Sequence, residues 1–107
     1  MNATLDAIQR LVAAGDVRIS EHGYDELVND GIAAREVLNG VAAAALVEDY
    51  PEFGKGPAVL VLQSDAGGRP LHVVWGIPKG HTGPAVLITA YRPDPALWSS
   101  DFLRRLK

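Results

Sequence analysis

The sequence predicts an α+β fold, and three observations carry that prediction. Up to Gly40, apolar side chains recur three and four residues apart, the spacing of helices that lie on a core. After Gly40 the pattern changes to short runs rich in Val, Leu and Ile, divided by turns containing Gly and Pro. Those turns are short, and short connections join antiparallel neighbours. Helices followed by a strand meander are expected to pack on an antiparallel sheet of about four strands.

Each element has its own signal. Leu5, Ile8, Leu11 and Val12 share one helical face, so residues 3 to 14 read as an amphipathic helix with Gly15 at C′. Ser20 is suited to N-cap a second helix, and Glu21 puts a carboxylate where the helix dipole favours it. Tyr24, Leu27 and Val28 then form its apolar face, and it ends near Asp30-Gly31. A third short helix, about 33 to 39, carries Val37 and Leu38 and stops at Gly40. The alanine-rich segment 41 to 46 reads either as an extension of that helix or as the approach to a strand. The strand runs are Ala45–Tyr50, Ala58–Gln63, Leu71–Ile77 and Ala85–Tyr91. Asp94 followed by Pro95 matches an N-cap with proline at N1. This predicts a C-terminal helix over about 95 to 105, with Trp98 anchoring it to the sheet.

Bulk properties bound the function classes. The 107 residues fit one domain, 1–107, and 48% hydrophobic with 21% charged residues is a globular balance. There are no cysteines, so disulfides and thiolate zinc sites are excluded, which fits a reducing cytoplasm. The opening MNATLDAIQRLVAAG contains Asp6 and Arg10 and lacks the apolar h-region of a signal peptide. No apolar run nears the roughly 20 residues that span a bilayer. The expectation is a soluble cytoplasmic protein without a membrane partner. A net charge of −3 weighs against nucleic-acid binding through overall electrostatics, so any such contact needs a local basic cleft.

The chemical character concentrates in Arg69–Trp98, where two apolar runs flank a Gly/Pro-rich loop. His72 shares a strand face with Val74 and Gly76, opposite that of Leu71, Val73 and Trp75. The hairpin register decides whether His72 meets Thr89 and Tyr91 or Ala90 and Arg92, and a one-residue slip swaps the answer. A strand histidine bonded to a neighbouring hydroxyl is the structural alternative to a functional one. His22, in the first turn of the second helix, has Asp25 and Glu26 as i+3 and i+4 neighbours able to orient it; its alternative is an exposed helix histidine. Gly23 beside it costs about 1 kcal/mol relative to alanine and marks a close approach. His81 reads as a loop residue. Three histidines on strand, helix and loop, with no i,i+4 pair, predict neither metal nor cofactor.

The order of motifs resembles the domain-of-unknown-function family 4258. The resemblance is carried by Ile19-Ser20-Glu21-His22, Gly31-Ile32, Arg35-Glu36-Val37, Gly67-Gly68-Arg69-Pro70-Leu71-His72-Val73-Val74 and Ile88-Thr89-Ala90-Tyr91-Arg92-Pro93-Asp94, with Trp98. It implies a fold like that of RelE-type toxins and related microbial ribonucleases, with helices packed on a curved antiparallel sheet. It also implies the toxin half of a bacterial toxin–antitoxin pair, with a small antitoxin-like protein as partner and RNA as substrate. The implied site residues are His22, His72, Thr89, Tyr91 and Arg92. Glu26 departs from the arginine that the family commonly places four residues after the first histidine. Metal-free RNA cleavage needs a base for the 2′-hydroxyl, an acid for the 5′ leaving oxygen and a donor for charge on phosphorus. His72 and His22 are the acid/base candidates, Arg92 or Arg69 the charge stabiliser, and Tyr91 and Thr89 the orienting groups. The competing expectation is a non-catalytic protein-interaction module of the same fold.

Overall fold

The computed structural model describes residues 2–106. Helix α1 spans Ala3–Ala13; the Asn2 side chain caps it by accepting from the Leu5 N–H at 2.8 Å. Gly15, at φ +78°, then turns the chain into strand β1, Val17–Ile19. Ser20 leads directly into helix α2, Glu21–Asn29, and helix α3 covers Ala34–Gly40. The alanine-rich segment resolves into a 3₁₀ turn, Val41–Ala43, before strand β2 at Ala45–Tyr50. Strands β3, β4 and β5 follow at Ala58–Ser64, Pro70–Gly76 and Ala85–Tyr91.

The five strands form one sheet in the order β1-β5-β4-β3-β2, antiparallel throughout except that β1 runs parallel to β5. The expected sheet of about four strands therefore gains a fifth. β1 is only Val-Arg-Ile, too short for its alternation to register as a strand signal.

α1, α2 and α3 cover one sheet face. Ile8, Val37, Val59, Val61, Leu71, Val73, Trp75 and Leu87 meet there in a continuous core with 0% exposure each. Each such side chain stabilises the fold by roughly 1.5–3 kcal/mol through burial. One polar group is built in. Gln63 donates to the Val37 carbonyl at 2.9 Å and accepts from the Trp75 indole at 2.9 Å, tying α3 to two strands with its amide satisfied at both ends.

Two further expectations are corrected. The buried face of α2 is Gly23 and Leu27, whereas Tyr24 and Val28 are 60% and 64% exposed. A Cβ on Gly23 would lie 2.7 Å from the Leu87 carbonyl oxygen, so only glycine lets α2 lie this close to β5. The face is thus chosen by backbone proximity rather than by the larger apolar residues.

The predicted C-terminal helix is absent among the described residues. Asp94 accepts from the Ala96 N–H as the head of a turn, not of a helix. Beyond it, Trp98 pairs antiparallel with Arg105, and Ser99 and Leu106 bond back to Arg104 and Leu97. The reason lies in Ser99 and Asp101. Their side-chain oxygens take the Arg104 and Leu103 N–H groups, which competes with helical pairing. The chain reverses at Phe102, whose φ of +61° costs about 1–2 kcal/mol for an L residue. Residues 93–106 therefore form an irregular strap.

Candidate functional site

The sheet face away from the helices carries the polar residues of interest. His72, Val74 and Gly76 alternate onto it from β4. The register pairs His72 with Tyr91, Val73 with Ala90 and Val74 with Thr89, then slips so that Trp75 opposes Leu87. Ile88 is the extra residue of this bulge, and its Cδ1 reaches over Gly76 on the same face. The open question of register is settled: His72 meets Tyr91, and Arg92 lies beyond the paired region.

One end of this face is closed. Trp98 packs edge-on against His72, with ring centroids 4.4 Å apart, and Tyr91 does so at 5.4 Å. The His72 Nε2 lies 2.8 Å from the Phe102 carbonyl, which can only accept, so Nε2 carries the proton. The neutral ring then accepts at Nδ1 from the Tyr91 hydroxyl at 3.2 Å. Both nitrogens are satisfied and the side chain has no exposure. Burial holds the imidazole below its ordinary pKa, and nearby Arg105 adds to this. The Phe102 carbonyl and Glu48 act the other way. Burial likewise pushes the Tyr91 hydroxyl up.

The strap is fastened at its far side. Arg105 donates to Glu48 of β2 through two nitrogens, at 2.6 and 3.1 Å, and its guanidinium lies 4.8 Å from the Trp98 ring. The Tyr50 hydroxyl donates to the same carboxylate. Arg105 keeps the Glu48 carboxyl below its usual range. Burial and the bond to Glu48 raise Tyr50.

The other end of the face is open. A cavity of about 650 Å³ lies there, within the roughly 300–1,000 Å³ of small-ligand sites. Its floor is Gly76, Ile77, Val86 and Ile88, and its walls are the start of α2 and the β2–β3 loop. Ser20 sets the first wall. Its hydroxyl caps α2 by accepting from the Gly23 N–H at 2.9 Å and donates to the Ile88 carbonyl at 3.0 Å, which fixes His22 beside β5. Arg18, on β1, reaches the cavity from the sheet edge, and Phe53 and Lys55 line it from the loop. Among the described residues, its charged and titratable lining is Arg18, His22 and Lys55, with no carboxylate.

The five residues expected to form one site therefore divide. His22 lines the cavity; His72, Thr89, Tyr91 and Arg92 do not. His72 and Tyr91 are joined under the strap, and Thr89 is half-buried on the same face. Arg92 is held by Asp65 in the β3–β4 turn, with Nη2 3.0 Å from the carboxylate. Asp65 in turn accepts from the Arg69 and Gly67 N–H groups, and these bonds with Arg92 keep its carboxyl below the usual range. His22 forms no hydrogen bond or ion pair to Asp25 or Glu26 among the described residues. Phe53 and Lys55 were missed because they stand in a turn, outside any periodic element. Their signal is the run Phe53-Gly54-Lys55-Gly56, an aromatic and a cation spaced by glycines.

Among the described residues no group of three or more His, Cys, Asp or Glu is placed to hold a metal ion, and no helix is long and apolar enough to cross a membrane. These features define an α+β domain with one sheet face under helices and the other divided between a sealed histidine and an open basic cavity. Residues 19–92, well over half of the chain, match the family described as Domain of unknown function (DUF4258), and the chain belongs to that family. No curated protein and no solved structure matches it. The matched span contains His22, Phe53, Lys55, His72 and Tyr91; α1 and the strap lie outside it.

Proposed function

We propose that the chain is a toxin-like, RelE-type domain that holds RNA in the open cavity and cleaves it without metal. One observation carries this reading. In a protein of net charge −3, Arg18, His22 and Lys55 line a single cavity whose lining includes no carboxylate. A local cluster of cations is what an acidic protein needs to attract a phosphate backbone.

The cavity supplies the elements of acid/base cleavage. His22 is exposed and imidazole is the side chain suited to proton transfer near neutral pH. It takes the proton of the 2′-hydroxyl, whose oxygen forms a bond to the adjacent phosphorus. The bond from phosphorus to the 5′ oxygen breaks, and the Lys55 ammonium protonates that leaving oxygen. The Arg18 guanidinium stabilises the charge that gathers on the non-bridging oxygens. A 2′,3′-cyclic phosphate and a 5′-hydroxyl result. His72 is assigned no proton transfer, since the strap excludes solvent and substrate from it.

The test is cleavage of a labelled RNA by the wild type and by His22→Ala, with binding followed against salt. His22→Ala should lower the cleavage rate by about 10²-fold or more, the usual worth of a general acid or base. Arg18→Ala and Lys55→Ala should each reduce the slope of log affinity against log salt by about 0.7. Equal cleavage by wild type and His22→Ala overturns the assignment.

A second reading, a non-catalytic protein-interaction module, is supported by Tyr24 and Val28. These i,i+4 residues are 60% and 64% exposed on the outer face of α2, an apolar pair suited to an antitoxin-like partner. Wild-type protein that binds such a partner, fails to cleave RNA and loses the partner on Tyr24→Ser with Val28→Ser favours this reading.

A further inference from the structure

The cavity is more selective than a basic patch. Phe53 is 46% exposed yet stands on a loop whose backbone is fixed. The Gly56 N–H donates to the Phe53 carbonyl at 3.0 Å, closing the turn. The Ile77 N–H donates to the Pro57 carbonyl at 3.1 Å and the Lys79 N–H to the Lys55 carbonyl at 2.9 Å, docking the loop on the end of β4. Gly56, at φ +127°, makes this possible: a Cβ there would overlap the Ile77 carbonyl. Phe53 thus lines the cavity from a fixed loop, together with the apolar Ile77, Val86 and Ile88 and the cations Arg18 and Lys55.

An apolar floor and a ring do nothing for a phosphate. They suit the flat face of a nucleobase, and a base offers that face only when it is neither paired nor stacked in a duplex. We propose that the cavity takes one unpaired nucleotide of a single RNA strand, its base stacked on Phe53 and the scissile phosphate on its 3′ side held by Arg18 and Lys55. This rests on the RNA reading above and adds single-strand selectivity to it. Phe53 is a specificity determinant here, not a catalytic residue.

The experiment measures binding of a labelled single-stranded oligoribonucleotide, the same strand annealed to its complement, and a free nucleoside monophosphate. The wild type, Phe53→Ala, Phe53→Trp and Lys55→Ala are compared, with melting temperatures confirming that each variant is folded. The single strand should bind at least about 10-fold more tightly than the duplex. Phe53→Ala should weaken single-strand binding by about 5- to 150-fold, the worth of one stacked base. Phe53→Trp should restore it, and neither change should alter duplex binding. The monophosphate should bind more weakly than the strand, because it lacks the neighbouring nucleotides and their phosphates. Equal binding of strand and duplex, both weakened by Lys55→Ala, overturns the single-strand inference and leaves the RNA reading standing. A monophosphate that binds more tightly than the strand also overturns the inference. No binding of any of the three overturns both.

Discussion

His72, on the outer sheet face, and His22, at the start of α2, sit in opposite environments. At one end His72 is sealed by Trp98, Tyr91 and the Phe102 carbonyl, with both ring nitrogens satisfied. At the other, His22 borders an open cavity with Arg18 and Lys55. A satisfied, buried imidazole stabilises the fold and is lost to chemistry. An exposed one bordering a cavity is open to solvent and to whatever the cavity holds. Residue type alone does not separate these roles; the covering of the sheet does. At the closed end that covering is the strap, which lies outside the family match.

The comparison is sharpened by substitutions that load one end or the other. The largest effect is expected at the closed end. Trp98 is 5% exposed and packs on His72, so Trp98→Ala should destabilise the protein by about 3–5 kcal/mol in urea unfolding. A loss under about 1 kcal/mol means the strap is not part of the cooperative fold.

Gly23→Ala comes next, at about 1–3 kcal/mol, because its Cβ would press on the Leu87 carbonyl. It should also shift His22 at the cavity and weaken RNA binding. Unchanged stability means that α2 has room to move away from β5.

A pH dependence follows from His72. Its folded pKa lies below the ordinary 6.5, so between those two values the unfolded chain binds more protons than the folded one. The histidine's contribution is complete above 6.5 and is lost as pH falls through the folded value. His72→Gln should flatten the unfolding profile in that window. Glu48, Asp65 and Asp101 have lowered carboxyl values, so their contributions disappear only in the more acidic carboxylate range.

The smallest effect is expected at the Glu48–Arg105 clasp. Arg105 is 55% exposed, and a double-mutant cycle should give no more than about 1 kcal/mol, falling with added salt.

The sequence was most legible where one local rule acts alone. The capping of α2 by Ser20, the turn at Gly15 and the four longer strands follow from periodicity and turn chemistry, and the structure has them. It was least legible where tertiary contact chooses between local options. The Asp94-Pro95 signal starts a helix or a turn equally well, and Ser99 and Asp101 decide for the turn through bonds visible only once the chain has folded. The face of α2 is set by a glycine against a carbonyl, which hydrophobicity does not encode. The partnership of His72 with Tyr91 was legible as one of two registers. The gathering of Arg18, His22 and Lys55 was not, because three elements far apart in the chain bring them to one cavity.

The most direct test is acylation of the imidazoles by diethyl pyrocarbonate on the folded protein, with sites mapped by mass spectrometry in the presence and absence of RNA. His22 and the exposed loop residue His81 should react readily, and His72 should react only on unfolding. RNA should protect His22 and leave His81 unchanged. Reaction of His72 as fast as His22, or RNA protection that spares His22, contradicts the division of the sheet face into a sealed end and a working one.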